Sequence, residues 1–237
     1  MPTERPRHCL VTGANRGLGL EFVRQLLARG DRVVATCRAP GRAHALNQLV
    51  GEHPGRLHVL PLDVALPKSQ AELARELPLV TDGAPLALLL NNAGVLHSGE
   101  RFGTVPASNL DDSLRTNAAG PFLLTQTLAP RLADGAVVAN LSSSLGSVAA
   151  LDGFHTPTYA ISKAALNMAT ALLAHALADR GIVVLALNPG WVRTEMGGEG
   201  APLTPAQAVA GLLAVIERAS VADSGRFLDW QGKSVPW

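Results

Sequence analysis

A chain of 237 residues that is 47% hydrophobic and 16% charged has the make-up of a globular protein with an extensive core, not of a disordered one. That length buries roughly 70–75% of the unfolded surface in one unit, so residues 1–237 are read as a single domain. A net charge of +1 without a basic cluster excludes nucleic acid and anionic membranes as partners, the N-terminus shows no signal-peptide core, and no apolar run reaches the ~18 residues of a membrane span; the expected location is the cytoplasm.

The first strand is expected at HCLVT (8–12). It runs into TGANRGLG (12–19), which opens a helix reaching to about residue 30. Gly13, Gly17 and Gly19 let the backbone turn sharply and approach a pyrophosphate, whose charge then rests on the N-terminus of that helix. The spacing is GxxxGxG, and it gains meaning from lying between a first strand and a first helix. The second strand, RVVATC (32–37), ends where an NAD site would carry Asp or Glu, but Cys37 and Arg38 stand there. With Arg16 in the glycine loop, two guanidinium groups and no carboxylate favour a 2′-phosphate and hence NADP(H); two solvated loop arginines are the plainer alternative. Cys9 and Cys37 lie in strands without metal or redox spacing and are read as buried free thiols, and no metal site is expected.

The third strand, LHVLPL (57–62), leads to Asp63 and Val64, where the acid is placed to accept from an adenine amino group or is simply a strand-end Asp. LALLL (86–90) runs into NNAG (91–94). A helix is expected over 111–132, a strand at AVVANLS (136–142), a long helix over 159–181, a strand at IVVLALN (182–188), a helix over 204–219 and a last strand within GRFLDW (225–230). The strands are continuous apolar runs without alternation, as a sheet covered on both faces requires. Strand and helix alternate throughout, which gives an α/β fold: a Rossmann-like, doubly wound parallel sheet with helices on both faces and a ligand at the carboxyl ends of the strands.

The long helix opens with the only tyrosine of the chain, Tyr159, followed one turn later by Lys163, one of three lysines against seventeen arginines. At this spacing the phenol and the ammonium share a helix face. Taken together and in order, TGANRGLG, LDV, NNAG, a serine-rich strand end, YxxxK and NPGWVRT resemble the short-chain dehydrogenases/reductases over essentially the whole chain. SSSLGS, PGWVRTEMGG and the GRFLDW ending look particularly like the sniffer-type carbonyl reductases and the bacterial C-factor proteins.

The resemblance implies a Ser–Tyr–Lys group with an assisting Asn. Tyr159 would protonate the carbonyl oxygen as hydride arrives. Bringing a phenol from its ordinary ~10 to near neutrality asks for ~4 kcal/mol, to which an adjacent ammonium and an oxidised nicotinamide contribute. Lys163 would supply that charge and donate to the nicotinamide ribose hydroxyls, a double duty that suits a compact ammonium better than a planar arginine. Ser143 is placed to hydrogen-bond the substrate oxygen, with Ser142 and Ser144 as neighbours that remain open. Asn117 would hold a water against the lysine. In the cofactor site the resemblance places Gly13, Asn15, Arg16, Gly17, Leu18 and Gly19 at the phosphates, Arg38, Asp63 and Val64 around the adenosine, and Asn92, Ala93 and Gly94 beneath it. Pro189, Gly190, Val192 and Thr194 fall at the nicotinamide, with Tyr159 and Lys163 at its ribose.

Leu145, Phe154, His155, His97, Trp191 and Met196 are positioned to line an apolar substrate cleft, His97 and His155 as loop residues and not catalysts. The glycine-rich stretch 197–203 is expected to act as a mobile lid. The expected activity is NADP(H)-dependent reduction of a small or medium apolar aldehyde, ketone or quinone; a nucleotide-binding signalling protein of C-factor type with secondary turnover is the alternative. The helix from Tyr159 is apolar on two faces, one row being Ala165, Met168 and Leu172 and the other Leu166, Leu173 and Leu177. A homodimer through the first row, with the neighbouring helix near Asp111, is expected, and a third layer of loops is the alternative cover.

Overall fold

A computed structural model describes residues 6–237. Seven parallel strands form one sheet: β1 (His8–Thr12), β2 (Arg32–Cys37), β3 (Leu57–Pro61), β4 (Leu86–Asn91), β5 (Leu132–Leu141), β6 (Val183–Asn188) and β7 (Phe227–Asp229), in the order β3-β2-β1-β4-β5-β6-β7. The central strands carry apolar residues on both faces because both faces are covered. Along β1, Cys9 and Val11 enter one core while Leu10 enters the other; along β6, Leu185 and Leu187 oppose Val184 in the same way.

The first core is closed by α1 (Gly17–Ala28), α2 (His44–Glu52) and α7 (Pro205–Arg218), through Phe22, Leu26, Leu46 and Leu212 among others. The second is closed by α3 (Pro67–Val80), α5 (Gly120–Leu128) and α6 (Pro157–Ala176), through Leu73, Leu124 and Leu173; α4 (Ala107–Leu114) packs beside α6. Cys9 and Cys37 are free and buried, as the strand positions suggested. After β1 the chain winds outward to β2 and β3, then returns to place β4 on the other side of β1. That reversal opens a crevice above the carboxyl ends of β1 and β4.

The expected helix over 111–132 starts earlier, at Ala107, and is interrupted by a π turn at Arg115–Ala119 before α5. The cause is local. Pro121 has no N–H to return to the Asn117 carbonyl, and the Gly120 N–H reaches back five residues to Arg115. Gly120 also lies so close to the Val64 carbonyl that a Cβ there would stand 2.8 Å from it. β5 begins at Leu132, earlier than the apolar run suggested, because its first residue pairs with Leu86 across a register shift.

Candidate active site

The crevice is built from one local knot. The Thr12 hydroxyl at the end of β1 donates to the Leu90 carbonyl and accepts from the N–H groups of Asn92 and Ala93. The Asn92 amide donates to the carbonyls of Thr12 and Gly13, at 2.8 and 3.1 Å. NNAG therefore braces the glycine turn from β4. Gly13 and Gly17 both have φ near +60°, and a Cβ on Gly13 would meet the Ala93 backbone at 2.8 Å; a Cβ on Gly19 would strike the Gly13 carbonyl at 2.3 Å. Helix α1 starts with no side-chain cap and no acidic residue in its first turn, so its N–H groups face the crevice unanswered by the chain. These features fit a pyrophosphate. Gly94 sits further along, where a Cβ would approach both Asn117 and the Lys163 ammonium, and keeps the way open between the two.

Asn15, Arg16 and Arg38 are exposed at the crevice rim and Val64 is buried at the end of β3. The Asp63 Oδ1 is turned onto the Ala65 N–H at 2.9 Å. Arg16 is ion-paired to Glu195, so a carboxylate does stand beside one of the two arginines, contributed by the loop after β6. Both partners are largely solvent-exposed, which makes the pair weak and open to exchange for a stronger anion. In the same loop Thr194 packs over Gly17, and Val192 is buried. Gly190 adopts φ +77° against Leu203, following the Asn188–Pro189 end of β6.

The 197–203 stretch is tied at its base: the Arg193 N–H donates to the Leu203 carbonyl, the Leu203 N–H to Trp191, and the Trp191 indole to the Gly197 carbonyl at 2.7 Å. It is an anchored loop, where the glycine content suggested a free lid.

Tyr159 and Lys163 share the buried face of α6, with the ammonium 5.4 Å from the ring centroid. The three serines stand in different surroundings. Ser142 is 2% exposed and spends its hydroxyl on Asn167 at 2.6 Å, and Ser144 is exposed as the first residue of a 3-10 turn. Ser143 caps that turn by accepting from the Leu145 N–H, and its hydroxyl lies against the Tyr159 phenol. Asn167 also donates to the Gly146 carbonyl at 3.1 Å, so one side chain of α6 grips both ends of the segment carrying Ser143.

Asn117 is fully buried, with its side chain committed to Val95 N–H, Val95 C=O and the Ser162 hydroxyl. Its backbone carbonyl, which Pro121 cannot serve, is a further acceptor for a water.

Burial sets the electrostatics. It pushes the Tyr159 phenol up to about 12, opposed only by the Ser143 hydroxyl, and pushes the Lys163 ammonium down to about 8. The lowered phenol expected from the adjacent lysine is thus not a property of the protein alone: both groups lose solvation together. Lys163 meets that loss by donating to the Leu141 carbonyl at 2.6 Å.

Of the residues expected to line the substrate cleft, Leu145 is half-buried and Phe154, Trp191 and Met196 are exposed. Phe102, absent from the sequence-derived lining, meets Phe154 edge-to-face at 5.8 Å. His97 and His155 both lie in loops, His97 paired with Asp112 at 2.9 Å and His155 exposed. Among the described residues no cluster of potential metal ligands occurs, and no helix is long and apolar enough to cross a membrane.

The short chain dehydrogenase family model matches residues 7–202. C-signal of Myxococcus xanthus is 41% identical over 155 residues, covering 65% of this chain and 93% of that protein. The NADPH-bound carbonyl reductase from chicken fatty liver superposes with a TM-score of 0.93 at 38% identity, covering 98% of this chain and 100% of the other. The carbonyl reductase Sniffer of D. melanogaster superposes at 0.94 with 31% identity and the same coverage.

Proposed function

This chain belongs to the short-chain dehydrogenase family and is an oxidoreductase of that family, and on that premise we propose that it is an NADP(H)-dependent carbonyl reductase for small or medium apolar aldehydes, ketones or quinones. The observation that carries the reading is a buried phenol beside the Ser143 hydroxyl with the Lys163 ammonium over its ring, next to a crevice shaped for a dinucleotide. The likeness to reductases with NADPH or NADP bound supports the cofactor, as do Arg16 and Arg38 at the adenosine end.

In this reading Gly13, Asn15, Gly17, Leu18, Gly19 and the start of α1 receive the phosphates. Arg16 and Arg38 take the 2′-phosphate, Arg16 leaving Glu195 to do so. Asp63 and Val64 flank the adenine, with Asn92, Ala93 and Gly94 beneath the ribose, and Pro189, Gly190, Val192 and Thr194 hold the nicotinamide end. The cofactor, when bound, supplies the hydride. Ser143 donates to the substrate oxygen and orients it towards Tyr159. Tyr159 delivers its proton to that oxygen, and Lys163 stabilises the phenolate left behind. The Asn117 carbonyl holds a water that leads protons back to the lysine. Phe102, Phe154, Trp191 and Met196 offer apolar surface to the rest of the substrate.

The same chain is proposed to act as a homodimer. On α6, Met168 and Leu172 are 64% and 55% exposed beside half-buried Ala165, whereas Leu166, Leu173 and Leu177 are in the core. No loop of the described residues covers the outer row, which supports a partner helix over a third layer. A second reading, a nucleotide-binding signalling protein with secondary turnover, rests on the 41% identity to C-signal.

A panel of aldehydes, ketones and quinones incubated with NADPH, followed by loss of nicotinamide absorbance, separates the two. Turnover of apolar members supports the reductase. Tight NADPH binding with no turnover across the panel favours the signalling reading.

A further inference from the structure

The helix that carries the proton donor does not cap itself. Its N-cap residue, Thr156, sits in the left-handed region at φ 39° and ψ 59°, makes no side-chain cap, and leaves its buried hydroxyl without a partner. Pro157 follows and has no N–H to offer, so the first helical N–H needing an acceptor is that of Thr158, the residue before Tyr159. A carboxylate from elsewhere in the chain supplies it. Glu100, in the loop between β4 and α4, accepts from the Thr158 N–H through Oε2 at 3.2 Å, and the Thr158 hydroxyl lies 2.9 and 3.0 Å from its two oxygens.

The carboxylate is itself held. Asn109 on α4 donates to Oε1 at 3.2 Å, and the Ser113 hydroxyl, also on α4, donates to the Thr158 hydroxyl at 3.3 Å. Burial works against the charged form, but the hydrogen bonds from Thr158 and Asn109 outweigh it and keep the carboxyl below its usual range. A negative charge at this end also suits the dipole of α6. Two residues beyond Glu100, Phe102 meets Phe154 of the segment entering α6, so the loop grips the start of that helix at a second point.

A local Ser, Thr or Asp cap would suffice to stabilise a helix end. Here the cap comes from a loop 58 residues away that begins at the cofactor-facing NNAG and ends on the rim of the substrate mouth. We propose that Glu100 is a positioning residue for Tyr159: its carboxylate closes the open N-terminus of α6 and, through Thr158, holds the phenol in register with Ser143. This rests on Tyr159 being the proton donor, and it ties the placement of that donor to the substrate-side loop.

The test compares Glu100→Ala, Glu100→Gln and Thr158→Val with wild type, using NADPH and an aromatic ortho-quinone. Glu100→Ala should lower kcat by roughly 100-fold, the cost of a misplaced reacting group, while KM and NADPH affinity stay within about threefold. Glu100→Gln should restore most of the rate, because its amide oxygen still accepts from Thr158 and Asn109 can turn its own carbonyl to the new N–H₂. Thr158→Val, which keeps the backbone N–H, should fall between them.

A second readout needs no turnover. Tyr159 is the only tyrosine, so tyrosinate absorbance after a rapid pH jump, read before unfolding, reports its ionisation alone. Ser143 and Lys163 face the phenol unchanged in every variant. In Glu100→Ala the midpoint should fall from about 12 towards the ordinary ~10 as water reaches a loosened ring, and Glu100→Gln should remain near wild type. An unmoved midpoint in Glu100→Ala overturns the inference. So does an equal loss of rate in the Ala and Gln variants accompanied only by a lower unfolding temperature. If the wild type turns over no substrate, the reductase reading fails while the tyrosinate midpoint still decides the role of Glu100.

Discussion

Replacing Lys163 with Met should make the cofactor-free protein more stable at pH 7 while abolishing its activity. The ammonium is buried and its pKa falls from 10.5 to about 8, a displacement equivalent to ~3 kcal/mol of disfavoured charge. Met fills a similar volume without charge but leaves the Leu141 carbonyl without its donor, at a cost of ~1 kcal/mol. The net expectation is a gain of ~2 kcal/mol at pH 7. The sign with pH follows from proton counting. Between 8 and 10.5 the unfolded chain keeps the Lys163 proton while the folded protein has released it, so wild-type stability rises with pH through that window.

By pH 9.5 the wild type should have recovered ~2 kcal/mol, and the advantage of Lys163→Met should have vanished. Cys9 and Cys37, both raised by burial, lower stability above pH 9, but they do so in both proteins and cancel in the difference. Tyr159, raised to about 12, lowers stability only from pH 10 upward and stays outside the range used. The assay is urea unfolding of both proteins at half-unit intervals from pH 7 to 9.5. A variant no more stable than wild type at pH 7, or a difference that does not shrink as pH rises, would refute the account of Lys163 as a buried, destabilising charge.

Tyr159→Phe should abolish carbonyl reduction and leave NADPH affinity nearly unchanged; steady-state rates within tenfold of wild type would remove Tyr159 from the chemistry. The double replacement Arg16→Ala, Arg38→Ala should weaken NADPH by ~1.5–3 kcal/mol per lost charged contact and NADH far less, and equal wild-type affinity for the two cofactors in a titration would refute the 2′-phosphate assignment. Thr156→Gly should stabilise the fold by ~1 kcal/mol by relieving a left-handed β-branched residue, and an unchanged thermal midpoint would show that no strain is stored there. Met168→Glu should yield a ~25 kDa species in sedimentation at micromolar concentration, where the wild type should run at twice that mass; a wild type already at the smaller mass would sink the dimer.

What the sequence determined by itself is what short-range spacing encodes. Strands buried on both faces are apolar on successive positions through their middles, so β1, β2, β4 and β6 were legible as continuous runs. A glycine turn must follow its strand directly, and Tyr159 and Lys163 share a face because four residues make one helical turn. Even Asn117 and Ser143 stood at readable places, although three adjacent serines left the choice between them to packing: only the Ser142–Asn167 bond shows which hydroxyl is occupied.

The tertiary structure decided whatever depends on partners far apart in the chain. Glu195 meets Arg16 across 179 residues and Glu100 meets Thr158 across 58, and neither acid carries a local signature that announces its partner. The direction of the two pKa shifts was hidden for the same reason. The sequence places an ammonium beside a phenol, but desolvation depends on the layers closed over α6, and in the folded protein that burial sets the direction of both shifts.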